Sequence, residues 1–120
     1  MTATTDLHGI VAEHVAAVNA QGEDAIVATF ADDAFVNDAH REFWGADAIR
    51  RWVAKEMVGD KVTFEVTEVV DHYGETIVRG RYDGDYDKTD LPDELILTHY
   101  FTVSDGRIVS LIVLHNTPAY

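Results

Sequence analysis

Phe30-Ala31-Asp32-Asp33-Ala34-Phe35-Val36-Asn37-Asp38 stands between two helical stretches and decides how the chain reads. Its second half, Ala34 to Asp38, is a short apolar strand that ends in a carboxylate. Upstream, residues ~6–21 carry the period of an amphipathic helix. Leu7, Ile10, Val11, Ala17, Val18 and Gln21 all fall within about 60° of His14 on a helical wheel, so His14 lies near the middle of the buried stripe. Gly22 is expected to end this helix. Glu23 and Asp24 then open a second one, where negative charge suits the helix dipole, and Ile26, Val27 and Phe30 supply its apolar face. Downstream, His40, Arg41 and Glu42 read as a loop. A third helix from about Asp47 to Met57 turns Ala48, Ile49, Trp52 and Val53 inward and Arg50, Arg51 and Lys55 to water.

After Gly59-Asp60 the pattern turns to β. Lys61 to Asp71 and Thr76 to Tyr86 form one pair of strands, and Leu95 to Val103 and Arg107 to His115 another. Asp105-Gly106 is a two-residue hairpin turn. If Ser104 faces Arg107, Thr102 pairs with Val109, Tyr100 with Leu111, Thr98 with Val113 and Ile96 with His115, all on one face. Leu97, His99, Phe101, Ile108, Ser110, Ile112 and Leu114 fall on the other. Both faces are mostly apolar, and three helices cover one of them. The other predicts a homodimer, with Leu97, His99, Phe101 and Ile112 at its interface. Helices first and a mostly antiparallel sheet afterwards define an α+β class.

The chain's 120 residues suit a single domain. Twenty-two acidic residues against 9 basic ones give a net charge of −13, which argues against nucleic acid as a partner. With no cysteine, neither disulfides nor thiolate metal sites can form, in keeping with a cytoplasmic location. No signal peptide is evident at Met1 to Asp6, and no apolar run approaches the ~20 residues of a membrane span. Asp83 to Glu94 is acidic and superficially matches a calcium loop. Lys88 stands where that loop needs its glycine, so a solvated connection is the better account.

Five segments carry a resemblance: Val15-Ala16-Ala17-Val18-Asn19-Ala20, Asp24-Ala25-Ile26-Val27-Ala28, Phe30-Ala31-Asp32-Asp33-Ala34, Gly45-Ala46-Asp47-Ala48-Ile49-Arg50 and Gly106-Arg107-Ile108-Val109-Ser110-Leu111. In this order they resemble the nuclear transport factor 2-like superfamily, in its SnoaL-like polyketide cyclase and ketosteroid isomerase branch. The resemblance implies a cystatin-like cone, a curved sheet wrapped on three helices with a cavity at its open end, and dimerisation through the outer sheet face. Asp38 matches the catalytic base of the isomerases. His14 takes the place of their tyrosine donor, and Thr98 that of their protonated aspartic acid. With both oxyanion donors replaced, steroid isomerisation is not expected. Trp52 and His115 match aromatic wall positions. A further relative, scytalone dehydratase, works with histidines and an aspartate, a style that His14, Asp38 and His115 would suit.

Each candidate has a plain structural alternative. Asp38 is either a general acid or base in an apolar pocket or a strand-end carboxylate paired with Arg41. His14 either points into the cavity or is a core histidine satisfied by one backbone carbonyl. His115 either joins the pocket or simply ends its strand. Trp52, Thr98, Tyr100, Val113, Leu111 and Val18 are the expected substrate walls. Asp38-x-His40 lacks compact ligand spacing, so no metal site is expected. The sequence thus predicts a cone that binds a small hydrophobic molecule and isomerises, cyclises or dehydrates it by acid–base chemistry without a cofactor. A binding or dimeric interaction module without turnover is the alternative.

Overall fold

A computed structural model describes residues 6–89, 91 and 95–115, the side chain of His115 excepted. Helix α1 spans Gly9–Asn19, α2 Glu23–Ala28 and α3 Gly45–Trp52, the last continuing as a π-helical turn over Val53–Val58. The strands are β1 Phe30–Asp38, β2 Arg41–Trp44, β3 Thr63–His72, β4 Glu75–Asp83, β5 Leu95–Ser104 and β6 Arg107–His115. They form one sheet in the order β2-β1-β6-β5-β4-β3. Only β1 and β6 run parallel among the paired neighbours; the other pairs are antiparallel. The helices cover the inner face, as the α+β cone requires. Among the described residues no helix is long and apolar enough to cross a membrane.

The first helix ends differently from expectation. Gln21, not Gly22, adopts the left-handed conformation (φ 54°). The Gln21 and Gly22 amides donate to the carbonyls of Val18 and Ala17, a Schellman closure with glutamine at the position glycine usually takes. The Gln21 amide side chain offsets the strain by donating to Val62 O at 3.0 Å. Beside it, Asn19 donates to Phe64 O (3.1 Å) and accepts from Phe64 N (2.7 Å). Together they pin the end of α1 to the start of β3.

Arg41 and Glu42 belong to a sixth, short strand, β2, rather than to a loop. It is an edge strand of four residues, too short and too polar for period-2 alternation to register.

The hairpin turn at Asp105-Gly106 is as expected, with both residues at positive φ. The register beyond it is not. Ser104 pairs with Arg107 and Val103 with Ile108, but Thr102 pairs with Ser110, Phe101 with Leu111, Tyr100 with Ile112, His99 with Val113 and Leu97 with His115. Val109 is an extra residue on β6, a β-bulge that shifts all later pairs by one. Leu97, His99 and Phe101 are therefore buried on the inner face together with Leu111 and Val113. They cannot form the dimer surface. Thr98 and Tyr100, expected in the pocket, alternate onto the outer face. Ile112 does lie outward, beside Leu114, at 37% and 38% exposure.

Candidate active site at the imidazole floor of the cone

One row across the inner face organises the site. Asp38 on β1 pairs with Val113 on β6, Val113 with His99 on β5, His99 with Val78 on β4 and Val78 with Val69 on β3. Asp38 and His99 thus share a face and a row, two strand spacings or roughly 10 Å apart, with Val113 between them. His99, not Thr98, is the inward residue of β5. Its signal was the odd-numbered series Leu95, Leu97, His99, Phe101 against the more polar Thr98, Tyr100 and Thr102, which the bulge-free hairpin register overrode.

His14 descends on this floor from α1. Its ring is 1% exposed and meets Phe30 and Phe101 edge-on, each at 5.3 Å between ring centres. Nδ1 lies 2.9 Å from the Thr29 hydroxyl, whose own hydrogen goes to Ile26 O at 2.6 Å. Nε2 is buried with no partner among the described residues. Burial pulls the pKa of His14 down to about 4. His99 is lowered further, to about 3, by burial and then by the proximity of His14. Both imidazoles are neutral near pH 7.

His14, Val15, Val18, Met57, Phe64, Tyr82 and His99 enclose a cavity of about 10 Å³, room for one water-sized group. Val18 lines this cavity, and Leu111 and Val113 are buried core residues of the floor. Phe64 stacks on His99 at 4.5 Å, the planes 8° apart. Gly80 makes this possible: a Cβ there would come within 2.8 Å of the Phe64 ring and 2.4 Å of the Glu65 carbonyl oxygen.

Asp38 faces a separate cleft of about 190 Å³, shared with Ala39, Arg41, Glu56, Asp60, Tyr82, Tyr86, Leu91, Leu95 and Leu97. Its Oδ2 accepts from Trp52 Nε1 (3.2 Å) and Arg41 Nη2 (2.8 Å). Arg41 also grips Glu56 through both carboxylate oxygens at 2.6 and 2.9 Å. Trp52, buried against Phe43, therefore orients Asp38 rather than acting as a bare wall. The Asp38 carboxylate lines a cleft and is paired with Arg41 at once.

Tyr82 is the partition. It borders the imidazole cavity, the Asp38 cleft and a broad open groove of about 680 Å³ between Asn19, Thr63 and Lys88. Burial, and next the Asp38 carboxylate, push its hydroxyl pKa up. Tyr86 stacks on it and donates to its carbonyl oxygen. His14 and His99 are thus brought together, and Asp38 lies on the same face across Val113, behind Tyr82. The side chain of His115, opposite Leu97 in the ladder, lies outside the described residues.

The SnoaL-like domain family matches residues 11–111. This chain belongs to that family. A polyketide cyclase candidate from Sinorhizobium meliloti is 30% identical, with a TM-score of 0.81 over 91% of this chain and 96% of the other. A nuclear transport factor 2-like protein from Burkholderia thailandensis is 25% identical, with a TM-score of 0.75 over 92% of each chain. A protein of ketosteroid isomerase-like fold from Catenulispora acidiphila, solved with trimethylamine, shares the fold at 18% identity and a TM-score of 0.74 over 88% of this chain and 83% of the other. No curated protein matches the chain.

Proposed function

We propose that this SnoaL-like chain binds a small apolar or cyclic molecule in its cone and moves a proton on it, as an isomerase, cyclase or dehydratase does. The observation that carries this reading is the row Asp38–Val113–His99 with His14 packed over it. It sets a carboxylate and two neutral imidazoles at the ends of an apolar floor, a span that one or two fused rings fill. Trp52 and Arg41 both hold Oδ2 of Asp38, and Oδ1 makes no hydrogen bond among the described residues. An anchored carboxylate with one free oxygen suits a base that takes a proton from carbon. Tyr82 and Phe64 stand between the floor and the open groove beside Asn19. Similarity to a polyketide cyclase candidate supports the same class of chemistry.

The test is turnover of a panel of cyclic ketones, enols and hydroxylated ring compounds, read with Asp38→Asn beside the unaltered protein. The proposal expects turnover to vanish in the variant while affinity stays within about threefold. Binding without turnover in either protein would instead favour a non-catalytic carrier. The Arg41 bridge from Asp38 to Glu56 favours that second reading, since it ties the carboxylate into an ion-pair cluster.

A cytoplasmic homodimer is also proposed, paired through the outer sheet face. Ile112 and Leu114 there replace the inward-facing Leu97, His99 and Phe101 as its apolar centre.

A further inference from the structure

Thr29 fixes which nitrogen of His14 carries the proton. A threonine hydroxyl has one hydrogen, and that of Thr29 goes to the Ile26 carbonyl. Toward His14 the Thr29 oxygen can offer only a lone pair, so Nδ1 is the N–H that donates across 2.9 Å. A neutral imidazole holds one such hydrogen, which leaves Nε2 bare. No carboxylate contacts the ring among the described residues, and its burial opposes a second proton. Nε2 is on the side of the ring away from Thr29 and is a buried lone pair without a partner among the described residues. The cavity that His14 lines is the size of one hydroxyl group.

We propose that the inner end of the cone selects molecules that present a hydroxyl, as a phenol or an enol does, and that this hydroxyl donates to His14 Nε2. The proposal deepens the function given above and rests on the cone being the ligand site. A carbonyl oxygen in the same place would set lone pair against lone pair and leave Nε2 unsatisfied. A hydroxyl serves both imidazoles, since it donates to His14 and its oxygen can accept an N–H from His99, which lines the same cavity. Phe64, His99 and Tyr82, which line the same cavity, are aromatic partners for an unsaturated body. His14 does not ionise the ligand. With its pKa near 4 it is far too weak a base to deprotonate a phenol, whose pKa is about 10. Its part is recognition, and it inverts the donor arrangement of an oxyanion hole.

Two measurements on the intact chain test this. Long-range proton–nitrogen correlation spectra of the histidine rings report the tautomer directly, and the expected result for His14 is a protonated Nδ1 with a bare Nε2. Titration with phenol, acetophenone and toluene, followed at the same resonances, is expected to show phenol binding at least about tenfold more tightly than either of the others. Thr29→Val removes the acceptor at Nδ1 and releases the tautomer, and His14→Phe removes the lone pair. Each is expected to bring phenol and acetophenone to within about threefold of one another. Thr29→Val keeps the imidazole and nearly the same shape, so it serves if His14→Phe does not fold. A proton on Nε2 of the free protein, or acetophenone binding as tightly as phenol, overturns the proposal and leaves the proton-transfer function standing. If no probe shifts the His14, His99 or Phe64 resonances, the cone is not a ligand site and both fall.

Discussion

His14 and Thr29 lie 2.9 Å apart, fifteen residues distant in sequence, and the threonine hydroxyl is already committed to the Ile26 carbonyl. A residue at the end of α2 thereby decides what a residue in the middle of α1 offers to the cavity.

Acid should unfold this protein in a way that depends on His14 and His99. Both have folded pKa values, about 4 and about 3, below the ordinary 6.5. The unfolded chain therefore binds more protons between those values, and stability is lost as pH falls through that window. The two together amount to several kcal/mol of pH dependence. Denaturant midpoints from pH 7 to pH 4 should fall steeply for the unaltered chain and less steeply for His99→Phe. Equal slopes would mean that His99 is not buried neutral.

Gly80→Ala should destabilise the fold by about 1–3 kcal/mol, because the new methyl meets the Glu65 carbonyl and the Phe64 ring. The ring should also lift from His99, which a change in ring-current shift at His99 would report. Unchanged melting and unchanged His99 shifts would contradict the close approach.

Arg41→Ala removes ion pairs to Asp38 and Glu56, yet the guanidinium is half exposed. Its loss should cost no more than about 1 kcal/mol in chemical denaturation. A much larger loss would show that the cluster is a structural keystone rather than a rim feature.

Ile112→Glu and Leu114→Glu place charge on the outer face without touching the core. Light scattering at micromolar concentration should find the unaltered chain dimeric and the double variant monomeric. A monomeric unaltered chain would remove the dimer proposal.

Much of this was legible before any coordinates. The Asp105-Gly106 turn, the burial of His14 within its apolar stripe and Asp38 at a strand end all follow from local pattern. The inward set of β5 does not, for a physical reason that lies in its partner β6. Ile108, Val109, Leu111, Ile112, Val113 and Leu114 are apolar on both faces, so no polar residue marks where the bulge intervenes. β2 escaped because a four-residue edge strand such as Arg41–Trp44 is too short to show a period. The tautomer of His14 was beyond any helical wheel, since it depends on a hydroxyl contributed by a different element.

The bulge at Val109 has an evolutionary corollary. Because the surplus residue is absorbed between the Val103–Ile108 and Thr102–Ser110 pairs, losing it would straighten β6 and still leave Leu111 opposite Phe101 and Val113 opposite His99. Descendants of this scaffold could thus shed or keep that residue without re-lining the hollow, and the curvature of β6 can drift while its inward side chains stay in place.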